Sequence, residues 1–335
     1  MIREAGARHA LVAGGAGFVG SHLCDALLAQ GWSVTCLDNL QTGHLANLAE
    51  ARTHARFAFV EADVTEPLPA GVAEPPWDEI YNLACAASPP AYQRDPEHTM
   101  MTSVVGTQRL LRLAERTGAR FLLSSTSEVY GDPLQHPQTE SYRGNVNPTG
   151  PRACYDEGKR AAETLTFDFD RHGRATVRVA RIFNTYGPRL DPMDGRVVST
   201  LVAQALAGET LTIFGSGDQT RSFCYVDDLV AGLLALMRHD GAQPGPVNLG
   251  NPIEMTVLEL AHKVAALAGG GRRVAHLPLP VDDPQRRKPD IGLAGRLLNW
   301  APRVDLDTGL RAVMAWQARR ATAPPVERLE LVIAQ

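Results

Sequence analysis

Short apolar runs alternate along the first half of the chain with longer stretches whose apolar positions recur at helical spacing. His9 to Ala13 is the first run. It meets Gly14-Gly15-Ala16-Gly17-Phe18-Val19-Gly20, after which Leu23, Leu27 and Leu28 share one helix face. Val34–Leu37, Phe57–Val60, Glu79–Leu83, Phe121–Ser124 and Ala175–Val179 read as further strands, with helices over 99–117 and 155–171 between them. This alternation predicts an α/β fold with a Rossmann-type, doubly wound parallel sheet. Beyond about 190 the pattern loosens into a helix over 196–208, a strand at Leu211–Phe214, a helix over 226–238 and a Pro- and Gly-rich remainder. The expected division is a dinucleotide-binding domain over 1–190 with returning segments from about 226–250, a smaller substrate-binding lobe over 191–316, and a tail over 317–335.

Composition narrows the class. The chain has 335 residues, 44% hydrophobic and 21% charged, enough for a large core and a second lobe. A net charge of -4, with Arg mixed among Asp and Glu, leaves no basic stripe for nucleic acid. The five cysteines are scattered, without a C-x-x-C pair, which fits a reducing, cytoplasmic setting. No apolar run approaches the roughly 18 residues of a membrane span, so neither signal peptide nor membrane partner is expected. No metal site is expected either.

Gly14, Gly17 and Gly20 form G-x-x-G-x-x-G between the first strand and the first helix. Small residues there let the backbone turn tightly, approach a pyrophosphate and seat it at the helix N-terminus. Asp38 closes the second strand, where a carboxylate accepts the adenosine ribose hydroxyls and repels a 2'-phosphate. Its neighbours Asn39-Leu40-Gln41 include no arginine, so NAD is favoured over NADP. Asp63-Val64 follow the third strand, placed to meet the adenine, although a turn aspartate explains Asp63 equally well. Phe18, Val19, Asn39, Thr42 and Leu83 complete the expected cofactor contacts.

Tyr155 and Lys159 lie four residues apart on one helix face, in a chain whose 33 basic residues include only three lysines. A cation beside a phenol favours phenolate and makes Tyr155 a candidate general base. Taken alone, the pair also describes a surface tyrosine beside a solvated lysine. The Phe121–Ser124 strand runs into Ser125-Thr126-Ser127-Glu128-Val129-Tyr130-Gly131, at the strand ends where doubly wound folds bind ligands. Thr126 could hydrogen-bond the sugar oxygen that Tyr155 deprotonates, and Glu128 adds an acid or base. A plain Ser/Thr-rich loop is the competing description.

With these residues the chain resembles the extended short-chain dehydrogenases that act on nucleotide sugars, and within them the UDP-glucuronate decarboxylase family. The resemblance runs from about 9 to 316. It is carried by Ser125–Pro133, Gly150–Arg160, Arg178–Arg189, Asp194–Ser199, Gly215–Phe223 and Asp282–Asp290. The resemblance implies that Tyr155 is the base, that Lys159 lowers its pKa and binds the nicotinamide ribose, and that Thr126 holds the C4 hydroxyl. It implies NAD-dependent oxidation at C4, loss of carbon dioxide from the 4-keto sugar, and return of hydride to give UDP-xylose. Glu128 and Arg287 match the pair assigned to decarboxylation, with Arg287 equally able to clamp the diphosphate. Asn184, Arg196, Arg221 and Tyr225 match substrate positions, and a homodimer through helices 99–117 and 155–171 is implied.

Two departures stand out. Met101-Thr102-Ser103 replaces Lys-Thr-Asn, and Cys85-Ala86 replaces Ser-Pro. They put the details of sugar recognition in question and leave room for the 4-keto pentose as product. A 4-epimerase typically lacks the glutamate of Thr126-Ser127-Glu128, and a 4,6-dehydratase has Asp where Ser127 stands. A non-catalytic dinucleotide-binding regulator commonly lacks the tyrosine or lysine present here.

Overall fold

Seven parallel strands form the central sheet, and their cores are mostly apolar because helices cover both faces. The structure, a computed structural model, describes residues 8–74, 76–242, 245–279 and 286–322. In chain order the first half comprises β1 (His9–Ala13), α1 (Phe18–Ala29), β2 (Ser33–Asp38), β3 (Phe57–Glu61), α2 (Ala70–Ala73), β4 (Glu79–Asn82), α3 (Pro89–Tyr92), α4 (Pro96–Met101), α5 (Thr107–Thr117), β5 (Arg120–Thr126) and α6 (Ala153–Arg171). The second half comprises β6 (Val177–Ile182), β7 (Thr185–Tyr186), α7 (Val197–Ala207), β8 (Leu211–Phe214), β9 (Thr220–Ser222), β10 (Cys224–Tyr225), α8 (Val226–Met237), β11 (Pro246–Leu249), β12 (Glu254–Thr256), α9 (Val257–Leu267), β13 (Val274–Leu277), β14 (Arg286–Arg287), α10 (Gly292–Leu298) and α11 (Leu306–Thr322).

The sheet order is β11-β6-β5-β4-β1-β2-β3, with every pairing parallel. Alternate residues of each strand point to opposite cores. Ala10, Val12, Tyr81 and Leu122 join Leu23 and Leu27 of α1 and Leu229 and Leu233 of α8. Leu11, Ala13, Ile80, Phe121 and Leu123 join Leu110, Leu111 and Leu113 of α5 and Ala162 of α6. The apolar stripe of α5 is therefore spent on the internal core.

Helix 99–117 is not one uninterrupted element. Pro96 starts α4 behind an Asp95 cap, and a π-helical stretch at Thr102–Gly106 joins it to α5. Gly106 lies against Val64 there, with room for no more than hydrogen: an added Cβ would stand 2.6 Å from a Val64 methyl. The Pro- and Gly-rich C-terminal portion holds three helices, α9, α10 and α11. Of these, α9 opens on a capping box formed by Thr256 and Glu259. The tail expected from 317 starts inside α11, where Gln317 is buried; residues 323–335 and the Asp282–Gln285 stretch lie outside the described residues. No helix among the described residues is long and apolar enough to cross a membrane.

Beyond the sheet's carboxyl edge, α7, α9 and α11 pack together, flanked by the parallel pair β8/β13 and the three-stranded β12-β9-β14. The last of these sets Arg287 of β14 opposite Arg221 of β9.

Candidate active site

The glycine turn leaves β1 with Gly14 at φ +78°, a conformation that favours glycine. A Cβ on Gly14 would stand 2.6 Å from the Leu83 carbonyl carbon and 2.7 Å from the Ala84 nitrogen, so β1 and β4 close together only over glycine. Gly17 caps α1, leaving the N–H groups of Phe18, Val19 and Gly20 at the open end of the helix. That is a cradle for a pyrophosphate.

A cleft opens above it, lined by Gly14, Gly17, Asp38, Asn39, Thr42, Asp63, Val64 and Leu83, all expected cofactor contacts. Its remaining walls include Gln41, Cys85, His98 and Thr102, none of them expected as a cofactor contact, although Cys85 and Thr102 lie in the two departures noted above. No arginine or lysine lies among the lining residues, in keeping with a site that has no partner for a 2'-phosphate. Asp38 accepts hydrogen bonds from Ala16 N (2.9 Å) and Leu40 N (2.8 Å), while burial pushes its carboxyl pKa up. Asp63 accepts from both the nitrogen and the hydroxyl of Thr65, and Asn39 (2.7 Å) and His98 (2.7 Å) meet its other oxygen. Burial opposes its ionisation, yet these bonds hold it at about 2. With both oxygens occupied, Asp63 braces the rim of the cleft.

Tyr155 and Lys159 leave α6 into the floor beyond this cleft, 6% and 3% exposed. Tyr155 hydrogen-bonds with Thr126 at the end of β5 and stacks at 5.2 Å on Tyr92 of α3. Burial, then the neighbouring Cys85, push its phenol up; the Thr126 bond and the Arg196 charge act in the opposite sense. The Lys159 ammonium donates to the Ser124 carbonyl at 2.9 Å, lies 5.9 Å from the Tyr155 ring centre, and is itself pushed down by burial. In this arrangement burial governs the Tyr155 phenol, and the depression expected from Lys159 does not emerge. Ser125 donates to Glu163 at 2.5 Å, and Glu163 holds Arg181 through two bonds of 2.9 and 2.7 Å, which locks β5 to α6 beneath the pair.

Glu128 opens the turn after β5, with its N–H on the Thr126 hydroxyl at 3.1 Å. Arg287 binds one carboxylate oxygen and Arg152, at the start of α6, binds the other at 2.7 Å. Burial disfavours the Glu128 charge, but the two guanidinium groups outweigh it and hold its carboxyl at about 2. Glu128 is therefore ionised at neutral pH; of the two roles read from the sequence, acid or base, this fits the base and not the acid. Arg287 is 3% exposed and also donates to the Gly131 carbonyl, so it belongs to this carboxylate cluster. Beside the cluster on α6 is Asp156, 5% exposed, with one carboxylate oxygen lacking a hydrogen-bond partner. Arg152 and Asp156 were missed in the sequence; both sit inside the Gly150–Arg160 stretch, but nothing in their spacing marks them.

Arg196 pairs with Asp194, and its charge reaches Tyr155. The adjoining Gly195 lies against Pro90, bringing the second lobe over the Tyr155 side of the site. Arg221 stands next to Arg287 on the neighbouring strand. The Asn184 carbonyl accepts from Cys224 N, and Tyr225 packs edge-on to Tyr186 at 5.6 Å within the larger core. Met101, at the first departure, is 39% exposed on α4.

A model of the NAD dependent epimerase/dehydratase family matches residues 10–250. The chain is 55% identical over 300 residues to UDP-glucuronic acid decarboxylase 2 of Arabidopsis thaliana, covering 90% of this chain and 66% of that protein. It is 54% identical over 301 residues to UDP-glucuronic acid decarboxylase 6 of the same plant, covering 90% and 86%. The chain thus spans about two thirds of the length of the longer relative. Among solved structures, UDP-glucuronic acid 4-epimerase from Bacillus cereus, in complex with UDP-glucuronic acid and NAD, superposes with a TM-score of 0.84 at 27% identity, covering 93% of this chain and 99% of that one.

Proposed function

The chain belongs to the NAD dependent epimerase/dehydratase family, and from that premise we propose that it decarboxylates UDP-glucuronate to UDP-xylose through a UDP-4-keto sugar, with NAD as its cofactor. One observation carries the choice among the family's chemistries. A carboxylate gripped by two arginines, Arg152-Glu128-Arg287, stands beside the Tyr155 base. C5 and its carboxylate adjoin C4, so a sugar with its C4 hydroxyl on Tyr155 and Thr126 brings the carboxylate towards these guanidinium groups.

The glycine cradle, Asp38 and Lys159 fit the pyrophosphate, ribose and nicotinamide ends of NAD, which when bound takes hydride from C4 and returns it. Tyr155 removes the C4 hydroxyl proton, which its buried setting allows only when a positive charge stands nearby. Thr126 fixes the C4 oxygen, and the resulting ketone lies beta to the carboxylate. The C5–C6 electron pair can then pass into an enolate whose oxygen faces Tyr155 and Thr126, and carbon dioxide leaves. Tyr155 finally gives its proton back to the C4 oxygen. We assign Arg287 and Arg152 to the sugar carboxylate, and Arg196, Arg221 and Asn184 to the rest of the nucleotide sugar.

Supporting a reducing, cytoplasmic setting, all five cysteines are free. A homodimer built on the outer faces of α5 and α6 is the assembly we propose, because these helices pack side by side at one face of the sheet; light scattering at the mass of one chain would refute it. The reaction is tested by incubating the protein with UDP-glucuronate, with and without added NAD, and weighing the products. Loss of carbon dioxide, strongly slowed in Tyr155→Phe, is expected. Inversion at C4 with the carboxylate retained would make the chain an epimerase.

A further inference from the structure

The decarboxylation proposed above leaves the site one proton short. The carboxylate departs as neutral carbon dioxide, the C5–C6 electron pair returns from the enolate to C5, and a C–H bond forms there. The proton taken by Tyr155 goes back to the C4 oxygen, so the proton for C5 has another source. Glu128, held ionised by two arginines, is not that source.

We propose that Asp156 takes up a proton when the sugar carboxylate binds to the Arg152-Glu128-Arg287 cluster and releases it when carbon dioxide has left. This rests on the decarboxylase reading. The argument begins with charge. Arg152 and Arg287 carry two positive charges, Glu128 one negative charge, and an ionised Asp156 brings the cluster to neutrality. A substrate carboxylate then adds a negative charge in a buried place, which is costly unless a proton accompanies it. After decarboxylation that charge is gone, the cluster is one proton too positive, and Asp156 gives its proton up for the new C5–H bond.

The surroundings of Asp156 suit the task. Its side chain is buried on α6, and one of its oxygens has no hydrogen-bond partner to lock it in either state. The charged and titratable groups that act on it are Glu128 of the turn after β5, Arg152 and Glu157 of its own helix region, and Arg287 of β14. It is close enough to act in turn on Tyr92 of α3 and Cys154 of α6. Burial and the Glu128 charge push its carboxyl up to about 7 against the pull of the two arginines, so both forms are populated near neutrality.

The test is calorimetric titration of NAD-loaded Tyr155→Phe protein, whose turnover is expected to be slowed roughly 10²–10⁴-fold, in buffers of differing ionisation enthalpy. UDP-glucuronate and UDP-xylose differ only in the carboxylate. UDP-glucuronate should take up about half a proton more at pH 7, approaching one above pH 8 and falling towards zero below pH 6, as a group half ionised near 7 requires. In a protein that also carries Asp156→Asn, the excess should vanish while UDP-xylose affinity is kept. An excess that persists without Asp156, or equal uptake for the two ligands, overturns the proposal. If Asp156→Asn does not fold, the pH profile of the Asp156-bearing protein decides, and a flat one sinks the idea. Failure of the unsubstituted protein to release carbon dioxide would refute the decarboxylase reading itself, a result separate from any proton count.

Discussion

Replacing Arg152 with methionine removes one jaw of the grip on Glu128 while keeping most of the apolar stem. The side chains of Arg152 and Glu128 are 12% and 16% exposed, and their 2.7 Å contact spans 24 residues of sequence. Glu128 is held near 2 against an ordinary 4.5, a gap worth roughly 3 kcal/mol at about 1.36 kcal/mol per unit. Arg287 remains and burial offsets part of what both guanidinium groups supply, so the share of Arg152 is on the order of 1–2 kcal/mol. That exceeds the roughly 0.2–1 kcal/mol of an exposed pair and falls below the roughly 3–5 kcal/mol lost on breaking a fully buried one. Urea unfolding at pH 7 of the parent, Arg152→Met, Glu128→Gln and the double variant should therefore give a coupling energy of roughly 1–2 kcal/mol. Because the pair is shielded from solvent, most of it should survive 1 M salt. A coupling below about 0.5 kcal/mol, or one abolished by salt, would show that the cluster is an ordinary surface contact and would remove the basis for Glu128 being held ionised.

Three further outcomes follow from the same geometry. Gly14→Ala places a side chain at φ +78° against the Leu83–Ala84 backbone, so NAD affinity measured by titration should fall at least about tenfold, the equivalent of roughly 1.4 kcal/mol; unchanged affinity would mean the cradle is not the pyrophosphate site. Tyr155→Phe and Lys159→Met should each lower kcat by roughly 10²–10⁴-fold with NAD still bound, and a loss explained by cofactor release alone would argue against Tyr155 as the base. Stability should decline as pH falls from about 5 towards 2: Glu128 and Asp63 have folded values lowered to about 2, so each stabilises above its unfolded pKa and loses that contribution on protonation. Glu128→Gln should flatten this acid limb, and a limb of unchanged steepness would refute the assignment.

Much of the architecture was legible along the chain because parallel strands buried on both faces are local apolar runs and the helices between them have their own period. Strands β1 to β6, the glycine turn and helices α6, α7 and α8 all fall where that pattern predicts. The two- and three-residue strands β7, β9, β10, β12 and β14 are too short for a period, and α9 to α11 were hidden among prolines and glycines. The Tyr155–Lys159 pair was visible because both residues belong to one helix, where spacing alone decides that they share a face.

Whatever depends on neighbours within a turn or a strand was thus written along the chain: the order of elements, the cradle at Gly14 to Gly20, and the tyrosine with its lysine. What surrounds them came from folding. It joined Arg287 to Glu128 across 159 residues, placed Arg152 on the opposite oxygen, and buried Asp156 beside them. The physical reason is that the protonation state of a carboxyl is set by desolvation and by the charges within a few ångströms, and the chain order does not encode which charges those will be.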